Sequence, residues 1–214
     1  MVLQTILLIR HAQSEEDINP SIHNLVNDHE IKLTPFGIEQ TKKLAFYLLQ
    51  YLNIENKIIY LSSSKRAQET WNILKSYSTD KNLVYIDKRI RNLNWGNITL
   101  ETREQIEKER YKIGVLHYKF PGGDNTPNYV SDICNFTKKM LHGCDKLNFP
   151  ECIIIITHGF ALRVIARSIL NISDEEFKWL ANPSNCYCAK ILYFTQESRF
   201  VLHKALPTIK PIKQ

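Results

Sequence analysis

The 214-residue chain is 43% apolar and 23% charged and holds only 7 Gly and 8 Pro. That profile excludes fibrous, low-complexity and largely disordered classes and allows one domain whose core needs no disulfide or metal staple. Its 28 basic and 22 acidic residues leave a net charge of +6, scattered along the chain with only short clusters such as "KRIR" and "IKPIK". A dense basic stripe interleaved with aromatics, the mark of a nucleic-acid binder, is missing, so the surplus favours phosphate-bearing ligands.

In chain order, the apolar run "TILLI" at 5–9 reads as a strand covered on both faces. "LTPFGIEQTKKLAFYLLQYL" follows as a helix, with Thr34 as N-cap, Pro35 in the first turn, and Ile38, Leu44, Ala45, Leu48 and Leu49 at helical spacing. "IIYLS" at 58–62 is a second strand, and "KRAQETWNILKSY" a helix after it. Two further helical patterns, "REQIEKERYKIG" and "NYVSDICNFTKKMLHG", flank the turn-prone "FPGGDN" and define a helical insert at about 97–145, expected over one end of the sheet. "CIIIIT" at 152–157 is a third buried strand leading into the helix "FALRVIARSIL", and "CYCAKILYFT" with "RFVLHKA" forms a hairpin at or near an edge. This alternation predicts a single domain over 1–214, an α/β fold built as a three-layer α/β/α sandwich with a mostly parallel sheet.

Cys134, Cys144, Cys152, Cys186 and Cys188 are odd in number and lack CxxC spacing, which fits buried apolar thiols in a reducing compartment better than a metal centre. Arg10 interrupts the first apolar run, and no run approaches the ~18 apolar residues of a membrane span. The expectation is a cytoplasmic protein with no membrane or nucleic-acid partner.

Ligands of parallel sheets bind beyond the carboxyl ends of the strands. Arg10 and His11 follow the first strand, Arg66 follows the second by a few residues, and His158 follows the third, so all four are expected on one rim. Guanidinium forks match the oxygens of a phosphoryl group, and a neutral imidazole nitrogen can attack phosphorus in line. Gly159 permits close backbone approach beside His158. Each residue alone has a structural explanation; the set, one after each strand, points to phosphoryl chemistry.

"LLIRHAQS", "LTPFGIEQ", "YLSSSKRAQET", "LNWGN" and "IIITHGFALR", in that order, make the chain resemble the phosphoglycerate mutase-like branch (branch 1) of the histidine phosphatase superfamily. "ERYKIGVLHYKFPGG" and "NPSNC" look like a subset of small phosphatases. The resemblance implies a phosphoglycerate mutase-like fold and a phosphohistidine formed on His11, with Arg10, Arg66 and His158 completing the phosphate pocket. Ser14 could add a donor to a phosphate oxygen, or could act as a cap.

In such proteins a glutamate protonates the leaving oxygen from a motif like "LREQDWG"; here "IRNLNWG" puts Asn92 in that place. An amide cannot surrender a proton to an alkoxide, a loss of roughly 3 to 5 kcal/mol of barrier unless replaced. Asp124 is the preferred substitute acid, with Glu15, Glu16 and Asp17 as others; alternatively the substrate has a good leaving group. Asp17 also stands where relatives often carry an asparagine, with Asn19 two residues on.

The resulting expectation is a metal-independent phosphatase, needing no cofactor, that hydrolyses phosphate monoesters of small molecules or phosphopeptides and releases inorganic phosphate. The alternative is a phosphate-ester or phosphoprotein binding module weakened in catalysis by Asn92. A mutase is less favoured.

Overall fold

The computed structural model describes residues 3–79, 83–96, 100–142, 150–194, 197, 199–204 and 206–208. Strands β1 (Leu3–Arg10), β2 (Lys57–Ser62), β3 (Leu83–Asp87), β4 (Cys152–Thr157), β5 (Cys188–Phe194) and β6 (Arg199–Lys204) form a 6-stranded sheet in the order β3-β2-β4-β1-β5-β6. The first four run parallel, β5 runs antiparallel to β1, and β6 closes the edge as the second strand of a hairpin.

The isoleucine-rich runs are strands buried on both sides. Ile153 and Ile155 of β4, with Ile6 and Leu8 of β1, face one core. Ile154 and Ile156, with Leu7 and Ile9, face the other. Because successive strand residues point to opposite faces, a strand sandwiched between two helical layers has no polar alternate, and its sequence reads as continuous apolar.

One layer consists of α2 (Pro35–Leu52) and α3 (Lys65–Lys75), which bring Leu44, Leu48, Leu52, Trp71 and Leu74 to the sheet. The other holds α5 (Thr126–Leu141) and α6 (Gly159–Leu170), through Ile133, Phe136, Met140, Leu162, Ile165 and Ile169. Short helices α1 (Glu15–Ile18) and α7 (Asp174–Phe177) and the longer α4 (Leu100–Ile113) complete the fold. The three-layer sandwich is therefore as the sequence predicts. No described helix is long and apolar enough to cross a membrane.

Three local expectations change. In α2 the buried positions are Gly37, Thr41, Leu44, Ala45, Leu48 and Leu52, whereas Ile38 and Leu49 are each 38% exposed, because the helix meets the sheet about one position away from the stripe their spacing suggests. Helix α5, expected over one end of the sheet, is a layer helix beside α6. Strand β3 escapes the pattern because Leu83, Val84, Tyr85 and Ile86 are exposed at the sheet edge, with neither the alternation nor the burial that marks the inner strands. The ends expected for the insert, Cys144 and the basic stretch 209–213 lie outside the described residues.

Burial pushes the thiols of Cys152 and Cys188 up to about 12 and that of Cys186 up to about 11, so these cysteines stay protonated at neutral pH.

The start of α2 fixes the loop after β1. Thr34 caps the helix by accepting the Gly37 N–H at 2.9 Å, and its own N–H donates to the Gln13 carbonyl at 3.0 Å. A Cβ on Gly37 would lie 2.1 Å from that carbonyl oxygen. Gly37→Ala should therefore push the loop away at a cost of about 1–3 kcal/mol, as overpacking does. Urea denaturation checks this, and a variant as stable as the parent would show that the loop is not clamped.

Candidate active site at the ends of three parallel strands

Arg10 of β1 pairs in register with Thr157 of β4, so His11 and His158 leave adjacent parallel strands at the same level. The His11 N–H donates to the Thr157 carbonyl at 2.9 Å. The two imidazoles meet edge to face, with centroids 5.0 Å apart and planes at 62°. Arg66, the second residue of α3, reaches the same place from beyond β2 and is fully buried.

Each side chain is held from behind. His11 Nδ1 lies 2.7 Å from the Ala12 carbonyl oxygen, an acceptor only, so this nitrogen carries the hydrogen and Nε2 keeps its lone pair. Ser62 Oγ, at the end of β2, is 2.8 Å from His158 Nε2 and accepts the Ser64 N–H at 3.2 Å. Ser62 Oγ also lies 3.4 Å from Ser64 Oγ, and when Ser62 donates to His158 Nε2 the neutral ring's hydrogen is on Nδ1. Arg10 Nη1 donates to the Pro183 carbonyl at 2.7 Å and Nη2 to Asp17 at 2.9 Å. Arg66 Nη1 donates to the Asp28 carbonyl oxygen at 2.6 Å, and Nη2 lies 2.9 Å from Asp28 Oδ1 and 3.3 Å from Glu16 Oε2. Thr70 Oγ1 ties the frame together, donating to the Arg66 carbonyl at 2.8 Å and accepting the Ala12 N–H at 3.1 Å.

Burial first, then the charges of Arg66 and Arg10, push His11 down to about 3, against weaker opposition from Asp17 and the Ala12 carbonyl. His158 is held well below its ordinary value by burial, Arg66 and its neighbour His11. Both rings are neutral at physiological pH. Meanwhile Arg10 Nε, Arg66 Nε and His158 Nδ1 are buried and have no hydrogen-bond partner among the described residues. Buried polar atoms are nearly always satisfied, and these three belong to side chains gathered at the strand ends.

A sequence model of the histidine phosphatase superfamily (branch 1) matches residues 6–205. The chain belongs to this family. It is 26% identical over 199 residues to the phosphoglycerate mutase-like protein AT74 of Arabidopsis thaliana, covering 84% of this chain and 62% of that protein. It is 20% identical over 297 residues to the broad-range acid phosphatase DET1 of Saccharomyces cerevisiae, covering 94% and 89%. The fold matches a mycobacterial glucosyl-3-phosphoglycerate phosphatase solved with inorganic phosphate, with TM-score 0.71 at 16% identity over 94% of this chain and 96% of that one.

Other residues singled out in this histidine phosphatase's sequence fall into different places. Gly159 opens α6, where a Cβ would lie 2.6 Å from Asn182 Oδ1. Ser14 is buried and gives both its N–H and its hydroxyl hydrogen to Asp17 Oδ2, at 2.8 and 2.9 Å, which makes it a cap rather than a donor to phosphate. Asp124 loses its expected role as acid: Arg91 grips both its oxygens, at 2.7 and 2.8 Å, and the Asn94 N–H donates to it at 2.7 Å. Asn92 donates to Asp28 Oδ1 at 3.1 Å. Within the insert, Phe120 and Tyr118 are buried against one another, and Phe120 against Trp95, as packing residues.

Asp28, Ser62, Thr70 and Asn185 are absent from the sequence reading. Asn185, in "NPSNC", donates to Asp17 Oδ2 at 3.1 Å and holds the loop after His11 from across the sheet. Glu16, His23 and Asp28 gather as a cluster that could hold a cation. Arg66 lies against both carboxylates, and a metal ion would meet its charge. A cavity of about 220 Å³ lined by Tyr47, Tyr51, Lys190 and Lys204 includes none of the four converging side chains.

Two imidazoles that resist protonation make the fold sensitive to acid. The depressed value of His11 contributes stability that is complete above 6.5, the unfolded value, and is lost as pH falls towards 3, because the unfolded chain takes up the proton that the native site refuses. His11→Asn should lose less unfolding free energy than the parent between pH 7 and pH 4, measured by urea titration at both; equal losses would contradict a depressed imidazole.

Proposed function

We propose that this chain is a metal-independent phosphatase that hydrolyses phosphate monoesters through a phosphohistidine on His11. The unprotonated Nε2 of His11 attacks phosphorus in line as the bond to the ester oxygen breaks. Arg10 and Arg66 supply positive charge and Nε–H donors, and neutral His158 an Nδ1–H donor, to the equatorial oxygens, where charge accumulates in the transition state. Water then attacks the phosphohistidine, the N–P bond breaks, and inorganic phosphate leaves.

What carries this reading is the combination of a neutral, tautomer-fixed histidine with three buried nitrogens that have no partner among the described residues. Desolvation costs an anionic nucleophile such as a carboxylate dearly, but a neutral imidazole keeps its lone pair when buried beside cations. The substrates are phosphorylated small molecules or phosphopeptides, and the step needs no metal.

With p-nitrophenyl phosphate and excess chelator, the parent should release phosphate and carry an acid-labile, base-stable phosphoryl group after quenching. His11→Ala should abolish both. Undiminished turnover in that variant would reject the mechanism.

Asn92 favours a second reading, a phosphate-ester or phosphoprotein binding module, since a histidine phosphatase lacking its glutamate lacks an obvious proton source. Asn92→Glu separates the two. No turnover of any phosphate ester by parent or variant, with retained phosphate binding, would favour the module.

A further inference from the structure

The carboxylates around the two histidines are nearly all engaged. Asp17 accepts from Ser14, Arg10 and Asn185. Glu15 accepts the Lys32 N–H at 3.1 Å, and Glu69 the Leu33 N–H at 2.8 Å. Glu16 has both oxygens engaged, Oε1 by His23 at 3.2 Å and Oε2 by Arg66 at 3.3 Å. Asp124 is clamped by Arg91.

Asp28 differs. Its Oδ1 receives Arg66 Nη2 and Asn92 Nδ2, at 2.9 and 3.1 Å, while no donor among the described residues is recorded on Oδ2, and the side chain is 39% exposed. Its position is fixed at a second point, because its backbone carbonyl accepts from Arg66 Nη1 at 2.6 Å. The short 3-10 turn Asp28–Glu30 thus carries a part-exposed carboxyl group to the side of Asn92 and Arg66 and orients it through one oxygen.

We infer that Asp28 is the proton carrier of this active site, in place of the carboxylate that Asn92 does not supply; this rests on the phosphatase reading above. In the first step the carboxyl hydrogen moves from Asp28 Oδ2 to the ester oxygen as the P–O bond breaks and the His11 Nε2–P bond forms. In the second, a water oxygen attacks phosphorus, its hydrogen passes to the Asp28 carboxylate, and the N–P bond breaks. Phosphate, neutral His11 and protonated Asp28 result. Asn92 is a positioning residue: its amide steers Oδ1 and leaves Oδ2 to the leaving group.

The test compares glycerol phosphate, with a poor leaving group, and p-nitrophenyl phosphate, with a good one. Asp28→Asn should reduce kcat on glycerol phosphate by about 10²- to 10⁴-fold, the usual worth of general acid catalysis, and on p-nitrophenyl phosphate by less than about tenfold. Adding Asn92→Glu to that variant should recover much of the alkyl activity. Equal losses on both substrates without recovery, or no loss at all, would overturn the assignment. The parent offers a check that does not depend on a variant folding: its kcat should vary little with leaving-group pKa, and a steep decline towards alkyl phosphates would equally overturn it. The phosphoryl group trapped on His11 separates the two claims. If the parent shows neither that adduct nor turnover, the phosphatase reading itself falls; if it shows both but Asp28→Asn behaves like the parent, only the proton carrier is wrong.

Discussion

The parallel pairing of β1 with β4 sets the geometry on which the site depends. Arg10 lies opposite Thr157, and the residue after each strand is a histidine, so one register places two imidazoles side by side although they are far apart in the chain. A shift of one residue would turn each side chain to the opposite face of the sheet and separate the rings. The register is strongly specified because both faces are buried: Ile6 and Leu8 belong to one core and Leu7 and Ile9 to the other, with the isoleucines of β4 divided in the same way. The apolar run that stops at Arg10 and His11 is thus also what aims them.

Within that frame, electrostatics decides the chemistry. Burial first, and then the two nearby guanidiniums, oppose protonation of both rings. The acidic residues nearby restrain the cations without neutralising the pocket. Asp17 anchors Arg10, and Asp28 with Glu16 anchors Arg66, each through Nη atoms, leaving both Nε atoms buried without a partner among the described residues. The fold therefore holds both guanidiniums in fixed positions beside the imidazoles, the kind of preorganisation that the proposed phosphoryl transfer needs.

Much of this was legible in the sequence because the signals were of the kinds a chain carries locally. The continuous apolar strands, the Thr34–Pro35 helix start and the placement of Arg10, His11, Arg66 and His158 after strands all follow from residue type and spacing. What escaped were contacts between segments distant in sequence. Asp124 looks like a free turn carboxylate until Arg91, 33 residues earlier, closes on it. Asp28 looks like a loop charge until the fold sets it against Arg66, 38 residues on, and Asn92, 64 residues on. Strand β3 was missed for another reason: an exposed edge strand has no buried face to impose a pattern on its residues.

The central claim is that His11 stays neutral in a buried cationic site with Nε2 unprotonated, and nitrogen-15 NMR of the histidine side chains tests it most directly. In phosphate-free buffer the His11 ring should keep the signature of a neutral Nδ1–H tautomer from pH 8 down to about pH 4, consistent with a value pushed down to about 3. A His11 titration with a midpoint near the ordinary 6.5, or an Nε2–H tautomer at neutral pH, would contradict the account.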